Sequence, residues 1–539
     1  MRRVPRHSLP VSLRSSLAIA ASLGCLVSGV GPALAVDIPA STFFADCSLP
    51  IYIAEDTVVV GKADIEGNCL VSVNTGFSFG LSKAKLTFTE GFRVHGNAAA
   101  VTVDKSKVTV EGATGLVLDS RGSVTVTSST LVAETGPINM PPGDALSVTN
   151  STVSAGTSLT FGGTGGLRTI TNGKLSAGES ITFASGCPSL TGVPSAISIV
   201  GGSLASAGTI TLGGCATQNL DGTSLEALGT GTAITISGYA SVPRTITDTR
   251  VEAPLGSIIV TGGGGASVTI TDSQFTSDAA SVEPAAITLG LAGLTVTRSR
   301  FRATQGYIST VGFGDHLFED CQFDAAGASS DGYGIYLGNG GAKTFTAGSL
   351  RARGGSVRLV GNGPIAFTDT KVRADGMDGN LVGITISGGG VSRTIEGSQF
   401  RSALGLIRVE GSGNTSIEGS KLLAKNDQGI LLSNAGTATV NASSLSTKLG
   451  GIRIPNGGSV DITGSKITAG GASGFVVESG FSATHSLLDA SKVKGAQVAI
   501  RSFVDTTVTG NSLKVGGVIE FSSAGTCTSL DNNPDVACF

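Results

Sequence analysis

The sequence predicts an all-β solenoid of about 18–20 coils, each made of three short strands, capped at both ends. Three observations carry that expectation. A short alternating phrase returns along the chain, an apolar residue stands five positions after each landmark of that phrase, and a glycine-announced strand separates one phrase from the next.

The phrase is clearest at Thr269-Ile270-Thr271-Asp272-Ser273-Gln274-Phe275. Ile270 points inward, Thr269 and Thr271 point outward, Asp272-Ser273 turns the chain, and Phe275 points inward again. The inward landmark recurs at Val103, Val126, Val148, Ile170, Ile199, Leu220, Ile246, Ile270, Val296, Phe318, Phe345, Phe367, Ile395, Ile417, Val440, Ile462, Ala483 and Val508. These spacings run from about 21 to 29 residues, the range of a stacked solenoid. The second inward position places Phe275, Phe301 and Phe323 in consecutive coils, so they should form one interior stack. Three residues after most landmarks stands Ser or Thr, as at Ser129, Ser273, Ser398 and Ser420; Cys321, Gly348 and Asn511 take that place elsewhere.

The third strand reads Ala233-Ile234-Thr235-Ile236, Gly383-Ile384-Thr385-Ile386 or Gly429-Ile430-Leu431-Leu432, and a glycine-rich turn follows it. No coil of this size can bury its own apolar face. Stacking does so, at about 4.8 Å per coil, and sets like residues over like.

From roughly Asp46 to the C-terminus this pattern resembles the right-handed parallel β-helix of the pectate-lyase-like superfamily. The resemblance implies a right-handed coil and a groove beside one sheet where related enzymes hold polysaccharide. No stretch matches the catalytic motif of a pectate lyase, polygalacturonase or epimerase. Left-handed hexapeptide helices have shorter and stricter turns.

Along the chain, residues 1–35 read as a signal peptide: Arg2, Arg3 and Arg6, an apolar run from Leu17 to Val30, and Ala33-Leu34-Ala35 as a cleavage signal. Residues 36–96 are expected to form the N-terminal cap and first irregular coils, 97–520 the repeats, and 521–539 the C-terminal cap. Past the signal no run is long and apolar enough for a transmembrane helix. The expected location is secreted, extracellular or on the outer cell surface, with the periplasm as a further possibility. Secretion favours disulfides, and the local pairs are Cys47–Cys69, Cys187–Cys215 and Cys527–Cys538, leaving Cys321 as a buried thiol. Net charge is −3, so no global polyanion binding or nucleic-acid partner is indicated.

Chemistry is concentrated on the second strand of each phrase. Its outward positions carry Arg250, Arg300, Arg302, Arg351, Lys371, Arg373, Arg401, Lys421 and Lys466, a basic stripe interrupted by Glu252 and Asp324. The longer coils add residues after this strand, at 277–284, 325–334 and 375–380, and these loops should border a groove. Asp324, Asp331, Asp375 and Asp378 would face the arginines there. Tyr307, Tyr333 and Tyr336 gather in the same segment, near His316, Glu319 and Asp320. The binding candidates are Arg300, Arg302, Asp324, Tyr333, Arg351, Lys371, Arg373 and Arg401. His316 reads as a loop residue, and His95 and His485 as isolated. No metal site or cofactor is expected, except Ca²⁺ if the groove performs β-elimination on a uronate.

The leading functional reading is a secreted or surface-displayed scaffold or adhesive module that binds an acidic glycan or cell-surface polymer. The alternative is a polysaccharide lyase or hydrolase; the absence of Trp and the five Tyr speak against it, because sugar clefts favour aromatic platforms. A minor alternative is ice binding, from rows such as Thr245/Thr247, Thr269/Thr271 and Thr295/Thr297, which β-propensity also explains.

Overall fold

A computed structural model describes residues 35–539, except 98, 142, 164–165, 186–195, 215–216, 239–241, 263–265, 280–284, 291, 339, 390–391, 427, 481–482, 484, 536 and 539. Residues 1–34 of the expected signal peptide and the Cys187–Cys215 pair lie outside the described residues. The chain is a parallel β-solenoid of about 20 turns. Alternating residues make the strands, and each strand pairs in parallel with its counterpart one coil away. Ile246, Ile270, Val296 and Phe318 align on the first strand. Val251, Phe275, Phe301 and Phe323 align on the second. Ile258, Ile287, Ile308 and Ile335 align on the third. All twelve are buried.

Stacking of like on like is plain in the aromatic columns. Ring centroids lie 5.0 Å apart for Phe275–Phe301 and 4.9 Å for Phe301–Phe323, both stacked. A second column on the first strand joins Phe318, Phe345 and Phe367 at 4.8 and 4.9 Å. The solenoid is plugged at its start by a short helix, Ala40–Phe43, and Phe44 behind it. Phe43 packs on Phe79, and Phe44 meets Phe88 and Phe92 edge-on. Strand Thr57–Ile65 is already in register with the coils that follow, Val59 pairing with Leu81 and Leu81 with Val103.

One landmark is misplaced in the sequence reading. The residue aligned with Ile462 and Val508 is Leu488, not Ala483. The loop after strand Phe475–Ser479 is longer than the pattern suggests, and Ala483 lies in it. In the corrected register Ser491 and Val493 fall three and five residues on, as elsewhere.

The corner between first and second strands is built the same way in nearly every coil. The residue two past the landmark is left-handed, with φ of 46° at Asp248, 51° at Asp272 and 51° at Asp369, and Gly397 or Gly419 serving where no side chain is present. Asp and Gly adopt that conformation at low cost. The next residue points inward and forms a ladder. Ser420 Oγ accepts from Ser398 N at 3.0 Å and donates to Glu418 O at 2.8 Å. Ser443, Ser465 and Ser491 continue it, and Asn511 and Asn532 end it. Cys321 substitutes in this ladder, its Sγ 3.2 Å from Val296 O and 3.1 Å from Glu319 O. Burial pushes its thiol up to about 11.

The glycine-rich corner between third and first strands is closed differently. Two residues before the landmark, on the same inward side, stand Arg168, Gln218, Arg244, His316, Lys343 and Arg393, all buried. Arg393 Nη1 donates to Gly388 O at 3.0 Å, Nη2 to Gly413 O at 2.6 Å, and Nε to Thr415 Oγ1 at 3.0 Å. Arg168 reaches Gly166 O and Gly162 O, and Gln218 reaches Leu212 O and Ser237 O. Asn456 does the same for Gly436 O and Ser459 O. Glycine turns leave carbonyls facing the interior, and long donors satisfy them. His316, read from the sequence as a loop residue, is therefore an interior strand residue.

Two expected disulfides are present, Cys47–Cys69 and Cys527–Cys538, and Cys321 is a buried free thiol. The bridges fit an oxidising compartment. Among the described residues no helix is long and apolar enough to cross a membrane.

Candidate binding face

Strand alternation sends every second side chain of the second strand outward, and parallel register turns those positions into two columns. One contains Arg302, Asp324, Arg351, Arg373 and Arg401 on five successive coils. The other contains Arg300, Gln322, Ser349, Lys371, Gln399 and Lys421. Seven of the eight binding candidates thus share one face, within two adjacent columns. Tyr333 does not. It opens the third strand, Tyr333–Leu337, around the next corner.

The columns are less uniformly basic than the sequence suggests. Asp375 Oδ1 accepts from Arg373 Nε at 2.7 Å, and its Oδ2 lies 3.9 Å from Arg351. Asp324 pairs with Arg353, and Arg250 with Glu252 at 2.6 Å. Arg300, Arg302 and Arg401 enter no ion pair among the described residues. Exposed pairs of this kind contribute little to stability, but they lower the field that an incoming anion meets.

The groove acids also separate. Asp378 is buried and turned to its own loop, accepting from Asn380 N at 2.9 Å and Val382 N at 3.0 Å. That loop packs against Gly332, where an added Cβ would meet Asp378 Cα at 2.8 Å. Asp331 faces the other way, into a hollow of about 360 Å³ on the third-strand side, lined by Tyr307, Tyr333, Tyr336 and Arg358. Tyr333 and Tyr336 stack at 5.5 Å, and the Arg358 guanidinium lies 5.0 Å from the Tyr333 ring centroid and bonds its hydroxyl. His316 is not part of that hollow, and Glu319 lies on the first strand.

Among the described residues no three His, Cys, Asp or Glu side chains gather as a metal site would require. With Asp324, Asp375 and Asp378 each engaged elsewhere, the residues present do not fit the Ca²⁺ that a uronate lyase would use. The two histidines read as isolated each meet a carboxylate one coil away: His95 with Asp119 at 3.0 Å and His485 with Asp461 at 2.6 Å.

Beyond Arg401 its column continues through Leu423, Ser446, Thr468, Lys494 and Lys514. Lys494 and Lys514 lie beyond the stripe expected from the sequence, which ends at Lys466. The misplaced landmark at Ala483 hid Lys494, which stands six residues after Leu488 as Arg401 stands six after Ile395. The threonine pairs behave as expected in register: Thr245, Thr269 and Thr295 align, as do Thr247, Thr271 and Thr297, until Leu317 and Glu319 interrupt both rows.

Compared with known families, residues 356–513 match the model described as a right handed beta helix region. No curated protein and no solved structure matches the chain.

Proposed function

We propose that this right-handed parallel β-helix is a secreted or surface-displayed binding scaffold whose second-strand face takes an acidic glycan. The observation that carries this reading is the aligned column of Arg302, Arg351, Arg373 and Arg401, one position per coil save for Asp324. Coils rise by about 4.8 Å, close to one sugar unit, so charges on successive coils can meet charges on successive units of a polymer. Long-range attraction of this kind acts mainly on encounter and on salt dependence. The dispersal of the carboxylates gives the lyase alternative no support, and the interruption at Leu317 and Glu319 limits the threonine rows to three consecutive coils.

The test is a titration of the protein with polygalacturonate and with heparin at low and high salt. Binding that weakens as salt rises, and weakens further in Arg302→Gln/Arg401→Gln, supports the reading. Absence of binding to either polymer at low salt overturns it. Release of unsaturated uronate product during the same incubation would instead make the protein a lyase.

A further inference from the structure

A groove of about 740 Å³ runs along the C-terminal end of the same face, at the corner that follows the second strand. Lys425, Lys448, Lys494 and Lys514 line it, and no acidic residue does among those described. All four are exposed. Lys466 and Lys492 stand one column away, aligned with each other. Each of five consecutive coils therefore contributes at least one lysine, over a run of about 20 Å at roughly 4.8 Å per coil.

This segment differs from the middle of the arginine column, which carries its own acids. Arg351 and Arg373 share Asp375, and Asp324 is held by Arg353. Among the described residues the groove lysines enter no ion pair and no acidic residue lines their wall. Like charges at these distances repel within a Debye length, and a polyanion relieves that repulsion. The floor consists of small and aliphatic residues, Leu423, Ala469 and Val515, with the hydroxyls of Ser446 and Thr468 between them. It offers no aromatic ring, the platform on which single-stranded nucleic acid stacks. Flexible ammonium groups over a hydroxyl-bearing floor suit carboxylates spaced along a chain of sugar rings.

We infer that the lysine groove between residues 421 and 516 is the principal seat of a linear carboxylated polysaccharide, with the arginine column extending the same track. This rests on the glycan-binding reading above and assigns that reading its main site.

The experiment compares wild type, Lys425→Gln/Lys448→Gln/Lys494→Gln/Lys514→Gln, and a control with the same charge change elsewhere, Lys62→Gln/Arg93→Gln/Arg121→Gln/Lys174→Gln. Each is titrated with polygalacturonate and with inorganic polyphosphate, and folding is checked by circular dichroism. The expected result is a loss of about tenfold or more in affinity for polygalacturonate in the groove variant and about twofold or less in the control. Equal losses in the two variants would overturn the groove while leaving glycan binding intact. So would a loss confined to Arg302→Gln/Arg401→Gln titrated alongside them. Polyphosphate binding as tight as polygalacturonate would overturn the saccharide assignment. No binding by wild type would remove the parent reading itself.

Discussion

The two interior corners of each coil solve the same problem with opposite materials. Between first and second strands, a left-handed residue and a short neutral side chain satisfy the backbone, and the solution repeats as Ser398, Ser420, Ser443 and Ser465. Between third and first strands, long buried polar side chains close some coils, and their identity changes from coil to coil: Gln218 precedes Arg244, and His316 precedes Lys343, while Val268, Leu294 and Ile365 hold the same position elsewhere. The first corner has fixed length, so a short side chain, most often Ser or Thr, fits nearly every coil. The glycine corner varies in length from coil to coil, so no one side chain serves them all. Arg393 reaches Gly413 O from the start of a first strand, and Asn456 reaches Gly436 O from the end of a third.

The largest expected effect comes from breaking the second device. Arg393→Ala strands the carbonyls of Gly388 and Gly413 and opens a cavity, and should cost about 4 kcal/mol or more. Denaturant unfolding measures it, and a loss below about 1 kcal/mol would mean that water replaces the guanidinium. Phe301→Ala, between the corners, should cost roughly 3–5 kcal/mol by removing the middle ring of a three-ring stack.

Lys343 gives the comparison a pH signature. Burial lowers its ammonium from 10.5 to about 8, opposed by nearby Asp315. Between those values the unfolded chain holds more protons at this position than the native one. Stability should therefore rise with pH across the window from about 8 to 10.5, and Lys343→Met should flatten that rise. Denaturation midpoints of both proteins at the two ends of the window decide the matter; parallel curves would place Lys343 in contact with solvent.

The neutral ladder should be milder. Ser420→Ala removes one acceptor and two donor contacts and should cost about 1–2 kcal/mol. The smallest effect belongs to Cys321→Ser, which restores the common ladder residue and should change stability by less than about 1 kcal/mol. The native thiol, raised to about 11, should resist alkylation at neutral pH. Rapid labelling of the folded protein would show that the ladder opens there.

Period and parity are local properties, and the sequence alone determined what depends on them. The landmark alternation located the strands, their stacking and the Phe275–Phe301–Phe323 column, because neighbouring residues on a strand must face opposite sides. It located the shared face of Arg302, Arg351, Arg373 and Arg401 for the same reason. Parity also held a signal that went unread: Arg168, Arg244 and Arg393 stand two residues before Ile170, Ile246 and Ile395, on the inward side. Charge argues for the surface unless buried carbonyls are known to await it, and only the closed corner shows them. Only tertiary structure decided the rest. The loop ahead of Leu488 had to be built before its coil found its register. Tyr333 had to be carried around a corner before it parted from the arginines. Asp375 had to meet Arg351 and Arg373 before the middle of the basic stripe parted from the lysine groove, since ion pairing depends on where loops fold back and not on their spacing in the chain.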